Sequence, residues 1–425
     1  MAFLNPDPSL HPFQKEREYV RALNATKMEK MFAKPFIGAL QGHTDAVKCM
    51  ARAHQQIVPL WSGSCDGEIR WWHTGTRKCT RSVRAHKGFV RGLVSSYDDR
   101  FLFSCGDDKT IKQWSAQEFG EQYTEPLEVL QTFHSVGMLT AIDHHWERGW
   151  LMTTGEVVDV WDVERSHPLH SFEWGCEVVL AGRFNQAERS LFGSCGSDNC
   201  VALYDVRQAM PVRKVQLKLR ANALAWNPQS PMHFVIGNED CNCYTFDMRK
   251  LNRAVNVHVD HVSPVLDVDF SPTGDEFVTA SYDKTVRIYR STEPTSREVY
   301  HGKRMQNVLC CSFSADRTYV FSGSQDGNVR MWKAQASRKV GVITSAEREA
   351  ELYRDKLKEK YKHLKEIRRI ALHKHVPRTI KYQQKERRNM REARTKKEVN
   401  RRKHSRPGAV PEVAIREKPI VQEIE

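Results

Sequence analysis

Short segments in which apolar and polar residues alternate recur along most of the chain. Examples are Glu68-Ile69-Arg70-Trp71-Trp72 and Thr285-Val286-Arg287-Ile288-Tyr289. This period of two is typical of a β-strand that buries one face. Turn-forming residues stand directly before these segments, as in Cys65-Asp66-Gly67. The pattern therefore predicts many short strands joined by tight turns.

These strands belong to a repeat: an Asp, two variable residues, a residue that is usually β-branched, two more variable residues and an aromatic residue. Its aromatic ends are separated by 42, 47, 43, 42, 43 and 43 residues. The seven aromatic residues are Trp72, Trp114, Trp161, Tyr204, Phe246, Tyr289 and Trp332. A period of this length indicates a repeat architecture.

The repeat resembles that of the WD40 family over roughly residues 40–344, and the resemblance implies an all-β fold, a seven-bladed WD40 β-propeller. It also implies a buried relay of His, hydroxyl, turn Asp and aromatic side chains in several blades. The implied sets are His43, Ser62, Asp66 and Trp72; His86, Ser104, Asp108 and Trp114; and His261, Thr279, Asp283 and Tyr289. Gly155 replaces the turn Asp in blade three and Ile236 replaces the hydroxyl in blade five, so these two blades are expected to be less rigid.

The relay contains the residue types of a hydrolase triad, but it repeats with the period of the fold, and a structural role is the better interpretation. An enzyme that uses the central channel has no further support in the sequence. The eleven cysteines include no CxxC pair, which argues against a zinc site. We expect no catalytic residue, metal, cofactor or small-molecule substrate.

Two segments compete to close the ring, because an open propeller would expose strand edges. Residues 35–41 precede the first repeat and residues 339–344 follow the last. Each could supply the outer strand of the last blade. We favour the N-terminal segment.

The net charge of +14 lies almost entirely after residue 340, where 25 Lys+Arg face 13 Asp+Glu, against 41 and 39 before it. Apolar runs are too short to cross a bilayer, so no membrane association is expected. The N-terminus lacks the apolar core of a secretory signal. This uneven distribution of charge predicts that any polyanion-binding function lies in the last fifth of the chain.

Helical periodicity flanks the repeats on both sides. Residues 16–32 predict a helix on the propeller surface, with a partly ordered extension as the alternative. A second helix is predicted to begin at Ser345. Its apolar face, whose partner is the propeller rim or another protein, consists of Tyr353, Leu357, Tyr361, Leu364 and Ile367.

Residues 378–406 follow Pro377 and are too polar to form a core. A solvated charged helix or a nuclear-import signal is the simple alternative, but a dense surplus of one sign favours contacts with RNA phosphates. The scarcity of aromatic residues argues against base stacking. The candidates are Arg387, Arg388, Arg391, Arg394, Lys396, Lys397, Arg401, Arg402 and Lys403.

The flanking segments narrow the resemblance to the Sof (suppressor of fibrillarin) family. The strings that carry it are Leu10-His11-Pro12-Phe13, Arg17-Glu18-Tyr19, Arg21-Ala22-Leu23-Asn24-Ala25-Thr26-Lys27, Phe32-Ala33-Lys34-Pro35-Phe36 and residues 394–407. The resemblance implies a non-catalytic scaffold of the U3 small nucleolar ribonucleoprotein and the small-subunit processome in the nucleolus. Its implied partners are pre-ribosomal RNA, U3 small nucleolar RNA and other processome proteins.

Animal members of the family are also linked to cullin-4 ubiquitin ligases as substrate receptors, through an aromatic-Asp-x-Arg signature at a strand end that meets the ligase adaptor. Its candidates here are Tyr204-Asp205-Val206-Arg207 and Phe246-Asp247-Met248-Arg249, neither of which begins with Trp. The alternative is that Asp205 with Arg207, and Asp247 with Arg249, pair locally at the blade edge.

The expected domain organisation follows chain order. Residues 1–35 form an N-terminal extension, 36–344 the propeller, 345–406 a basic helical tail and 407–425 a disordered end.

Overall fold

The computed structural model describes residues 7, 10–116, 128–173, 177–406 and 408–424. Parts of the expected N-terminal extension (residues 1–6, 8 and 9) and Pro407 lie outside the described residues. By internal contacts the chain divides into two units, Met1–Phe36 with Gln335–His375, and Ile37–Ala334 with Val376–Glu425. The division therefore does not follow chain order, because the predicted helical tail is split between the units.

The second unit contains seven antiparallel sheets in the described residues. The strands of the first four repeats are β2 (Val47–Arg52), β3 (Pro59–Ser64), β4 (Glu68–His73), β5 (Lys78–Arg84), β6 (Val90–Ser95), β7 (Phe101–Gly106), β8 (Thr110–Ser115), β9 (Gln131–His134), β10 (Ala141–His144), β11 (Trp150–Thr154), β12 (Val158–Asp162), β13 (Pro168–Phe172), β14 (Val179–Phe184), β15 (Leu191–Gly196), β16 (Cys200–Asp205) and β17 (Pro211–Leu217). Those of the last three are β18 (Ala221–Trp226), β19 (His233–Asn238), β20 (Asn242–Asp247), β21 (Asn256–Val259), β22 (Val265–Phe270), β23 (Glu276–Ser281), β24 (Val286–Arg290), β25 (Ser296–Tyr300), β26 (Val308–Phe313), β27 (Tyr319–Ser324) and β28 (Asn328–Lys333).

Each sheet is one blade, and the first strand of each blade contacts the first strand of the next, with β26 returning to β2. The seven-bladed propeller is thereby confirmed. Its last blade is completed by β1 (Phe36–Gln41), which lies beside β28. The N-terminal segment closes the ring, as the sequence analysis favoured.

Blade four carries a fifth strand, β29 (Ile420–Ile424), which pairs antiparallel with the outer strand β17. Ile420 packs against the apolar cluster that blades four and five share. A disordered end was expected for residues 407–425, but residues 420–424 form a strand. The free backbone edge of β17 supplies the hydrogen-bond partners that this segment lacks alone.

The Asp of the repeat shapes the turn before the third strand of six blades. In each, a carboxylate oxygen accepts from the backbone N–H two residues later, as from Asp66 to Glu68 (3.1 Å). The residue after each Asp adopts a left-handed conformation, with φ of 85° at Gly67 and 60° at Lys109. A Cβ on Gly67 would lie 2.2 Å from the carbonyl oxygen of His86, so only glycine fits there.

The relay is complete in blade two. Nδ1 of His86 lies 2.9 Å from Asp108, its Nε2 lies 2.8 Å from the Ser104 hydroxyl, and the Trp114 indole N–H donates to the same hydroxyl at 2.9 Å. Blade six repeats the first two contacts. There His261 lies 2.8 Å from Asp283 and 2.6 Å from Thr279.

The relay of blade one differs from the prediction. His43 contacts Ser62 (2.6 Å), to which the Trp72 indole also donates, but Asp66 accepts from the hydroxyls of Thr44 and Ser64 instead. Nδ1 of His43 lies 3.6 Å from Glu68. Because the hydroxyls of Thr44 and Ser64 occupy the Asp66 carboxylate, the His43 imidazole lacks the predicted contact with Asp66.

His43, Asp66 and Glu68 also place possible ligand atoms within 4.8 Å of one another. However, the Arg70 guanidinium lies 2.9 Å from Glu68. A bound metal cation would face this fixed positive charge, which disfavours a metal site.

The first unit contains three helices, α1 (Gln14–Met31), α2 (Ser345–Lys360) and α3 (Lys365–Ala371). Ala22 of α1, Leu357 of α2 and Ile367 of α3 form its buried centre. The ion pairs Lys358–Glu29 (2.8 Å) and Lys360–Glu18 (2.6 Å) lie beside it. The N-terminal helix is thus a partner of the apolar stripe that the sequence predicted. Among the helices described, none is long and apolar enough to span a membrane.

Buried and half-buried histidines should make the folding stability depend on pH. Burial lowers the pKa of His43, His144 and His258 to about 4, so the folded state binds fewer protons than the unfolded state below pH 6.5. The free energy of unfolding that each histidine contributes should be fully present above pH 6.5 and should be lost as the pH falls toward 4. At pH 5 the loss should be at most about 2 kcal/mol per histidine. Urea denaturation at pH 7 and pH 5 measures this loss.

The variant His258→Gln should show a smaller loss between these pH values, since it lacks one of the groups. The variant His167→Gln, at an exposed position, should behave like the unmodified protein. Equal stability of the unmodified protein at pH 7 and pH 5 would contradict the prediction.

Candidate nucleic-acid interface

The predicted basic tail forms one long helix, α4 (Arg378–Lys403), in the propeller-containing unit. Pro377 precedes it, as expected at a helix start, where a missing N–H does no harm. Twelve of its residues are Lys or Arg and three are Glu. Ile380 is its one buried residue in the described structure. The helix therefore has almost no apolar surface to hold it in place.

Polar contacts with loops of blades five and six hold the first half of α4. The Arg387 guanidinium donates to three backbone carbonyls, those of Val262 (2.7 Å), Asp240 (2.9 Å) and His261 (3.3 Å). The Gln384 side chain donates to the carbonyl of Asp260 (2.6 Å). Charge-assisted hydrogen bonds of this kind are stronger than neutral ones. Arg387 is thus the main anchor of the helix.

The end of α4 is paired with the segment that leads to β29. Arg402 lies 3.0 Å from Glu412, and Lys418 lies 2.9 Å from Glu398. The carbonyl of Pro419 accepts from the backbone N–H of Lys218 (2.9 Å). The segment thereby connects the helix to blade four.

The nine predicted RNA contacts consequently fall into three groups. Arg387, Arg391 and Arg402 are engaged within the protein, Arg391 through Asn242 (3.1 Å). Arg388 forms an exposed pair with Glu392 (2.8 Å). The remaining residues are exposed and form no ion pair within the described chain: Arg394, Lys396, Lys397, Arg401 and Lys403.

The anchoring role of Gln384 and Arg387 was not predicted from the sequence. Three exposed cations in the first half of the helix, Arg378, Lys381 and Lys385, were not among the predicted RNA contacts either. The available signal was the spacing of Ile380, Gln384 and Arg387 at i, i+4 and i+7, which places them on one helix face.

The two aromatic-Asp-x-Arg candidates differ in how their Arg side chains are held. The Arg249 guanidinium donates to both carboxylate oxygens of Asp247, at 3.1 and 2.9 Å. This ion pair lowers the pKa of Asp247, its hydrogen bond to Arg249 being the largest cause. Arg207 is exposed, and its backbone N–H donates to Asp205 (3.0 Å). Local pairing therefore describes Asp247 with Arg249, while the Arg207 side chain points into solvent.

A cavity of about 350 Å³ lies on the propeller axis and is lined by the first strands of all seven blades. Its carboxylates hold neighbouring blades together: Asp143 accepts from the backbone N–H of Phe184 (2.7 Å), and Asp267 from that of Cys311 (2.8 Å). Burial raises the pKa of Asp267 to about 6. These contacts give both acids a structural role.

The chain matches two family models. The WD40 model (WD domain, G-beta repeat) matches residues 34–73, 77–115, 253–290 and 295–333. The Sof1-like domain model matches residues 334–420, a region that includes α2, α3 and α4.

Similar proteins are found in vertebrates and in yeast. DDB1- and CUL4-associated factor 13 is 48% identical in Danio rerio, over 99% of this chain and 94% of that protein. The Homo sapiens protein of the same name is 49% identical, over 98% and 93%. Protein SOF1 of Saccharomyces cerevisiae is 42% identical, over 93% and 87%.

Replacing the anchor should release α4. We expect Arg387→Ala to remove the hydrogen bonds to three carbonyls, at a cost of about 1.5–3 kcal/mol, and to increase hydrogen exchange along α4. The control is Arg388→Ala, at the adjacent exposed position, which should leave exchange in α4 nearly unchanged. Similar exchange in both variants would show that Arg387 is not the anchor.

Proposed function

Because the chain belongs to the Sof1-like family of WD40 proteins, we propose that it is a non-catalytic scaffold of small-ribosomal-subunit assembly in the nucleolus. In this function the propeller binds other processome proteins, and α4 binds pre-ribosomal or U3 small nucleolar RNA. The exposed, unpaired cations of α4 are the observation that carries the proposal.

Like charges that lie close together on one helix repel each other, which costs free energy. Five of the nine predicted RNA-binding cations are exposed and unpaired within the described chain, and the docked first half of the helix fixes their direction. A polyanion would neutralise them and release its condensed counterions, which supplies the free energy of binding.

The propeller supports the protein-binding half of the proposal. The axial carboxylates of Asp143 and Asp267, and the relay side chains of blades two and six, are occupied by structural hydrogen bonds. A rigid ring of this kind presents loops and blade edges on a fixed frame, as binding scaffolds do.

The test retains α4 and removes the charge. In a variant in which Arg394, Lys396, Lys397, Arg401 and Lys403 are all changed to Gln, cross-linking to pre-ribosomal RNA in cells should fall by at least about 10-fold, because fewer phosphates are neutralised. The control exchanges Lys and Arg at the same five positions and should retain cross-linking. Unchanged cross-linking of the Gln variant would refute the RNA-binding role of the tail.

A second candidate function is that of a substrate receptor of a cullin-4 ubiquitin ligase. The vertebrate relatives are named as factors associated with DDB1 and CUL4. The exposed Arg207 beside Asp205 offers a cation at the edge of blade four. Asp247 and Arg249 form the second part of this candidate surface.

If this surface binds the ligase adaptor, Arg207→Ala combined with Arg249→Ala should reduce co-purification of the adaptor by about 10-fold or more, as is common for Arg at the centre of an interface. RNA cross-linking should be unaffected. Undiminished co-purification would exclude these residues as the adaptor site.

A further inference from the structure

We propose that RNA contacts one particular face of α4, a stripe formed by Arg378, Lys385, Lys396 and Lys403, and that its partner is double-stranded RNA. This inference rests on the proposed function, since it specifies the surface and the form of the RNA. It also assigns two residues, Arg378 and Lys385, that the sequence analysis did not single out.

The contacts with the propeller define the inner face of the helix. At about 100° per residue, Ile380, Gln384, Arg387 and Arg391 all project within an arc of roughly 60°. Ile380 is buried, and the other three donate hydrogen bonds to residues of the propeller. The orientation of α4 about its own axis is therefore fixed.

The stripe lies on the opposite face. Arg378, Lys385, Lys396 and Lys403 project about 160–180° away from Arg387. They are separated by 7, 11 and 7 residues, which correspond to roughly 2, 3 and 2 helical turns. All four are exposed. The stripe runs along about 37 Å of helix at 1.5 Å per residue.

The three glutamates of α4 offset little of the positive charge of the stripe. Glu398 projects toward the inner face, where it pairs with Lys418 (2.9 Å). Glu392 lies near the stripe but is paired with Arg388 (2.8 Å). Glu386 projects from the side of the helix. The outer face consequently carries four cations and one glutamate that is ion-paired with Arg388, a surplus of positive charge suited to phosphates.

The geometry favours a duplex over a single strand. Proteins that bind single-stranded nucleic acid stack its bases on aromatic side chains. Tyr382, with 65% of its surface exposed, is the one aromatic residue of α4. A straight row of cations instead matches the regular phosphates that border the wide, shallow minor groove of an A-form duplex. Such contacts would recognise the shape of the RNA duplex, with little preference for its base sequence.

Two triple variants with equal charge loss test the assignment. The stripe variant carries Lys385→Gln, Lys396→Gln and Lys403→Gln. The flank variant carries Arg394→Gln, Lys397→Gln and Arg401→Gln, at exposed positions on another side of the helix. Both retain Arg387, and Gln preserves the helix.

The measurement is the affinity of the full-length protein for an RNA duplex of about 20 base pairs, slightly longer than the roughly 16 spanned by a double-stranded-RNA-binding domain. We expect the stripe variant to lower the slope of log affinity against log salt by about 2–3, since each substituted lysine leaves one phosphate without its cation. The flank variant should lower it by less than about 1. Single-stranded RNA of the same length should bind the unmodified protein more weakly.

The possible failures are distinguishable. Equal reductions of the slope in the two variants would overturn the stripe while leaving RNA binding by the tail intact. Equal or tighter binding of single-stranded RNA would overturn the duplex assignment. If neither variant and no neutralisation of α4 affects RNA binding, the proposed function fails as well.

Discussion

No blade of this propeller can bury its apolar residues alone, and the rest of the structure depends on this constraint. Trp71 of blade one lies against Trp114 of blade two, with ring centroids 6.3 Å apart, and similar clusters lie between other neighbouring sheets. Each sheet is therefore stabilised by the next, and the series must return on itself. The resulting rigid loops provide the carbonyls to which the polar helix α4 is attached.

The sequence predicted the blades well because every repeat obeys the same local rule. The Asp of the repeat illustrates where that rule ends. Its turn role, which involves residues two positions apart, is found in six blades. Its relay role depends on a histidine about twenty residues away and on competing neighbours. In blade one the Asp66 carboxylate accepts hydrogen bonds from the hydroxyls of Ser64 and Thr44 instead, and nothing in the repeat pattern indicates this.

The basic helix was predictable, but the use of its individual cations was not. Arg387 and Arg388 are adjacent and chemically identical, yet one is inserted among backbone carbonyls and the other is exposed. The spacing from Ile380 places Arg387 on the inner helix face, but carbonyl groups occur at every residue, so the propeller residues that receive Arg387 have no signature in the sequence. The same holds for β29, whose partner is the backbone edge of β17. Contacts made through backbone groups are thus the part of this candidate site that requires the structure.

Closure of the last blade by β1 has a consequence for synthesis on the ribosome. β1 ends at Gln41, and its partner β28 begins at Asn328 and ends at Lys333. At a translation rate of about 5–20 residues per second, β28 is synthesised roughly 15–60 s after β1. During that interval the backbone edge of β1 is open to other chains. The ring therefore cannot close, and β1 cannot be covered by its own partner, until translation has passed the seventh repeat.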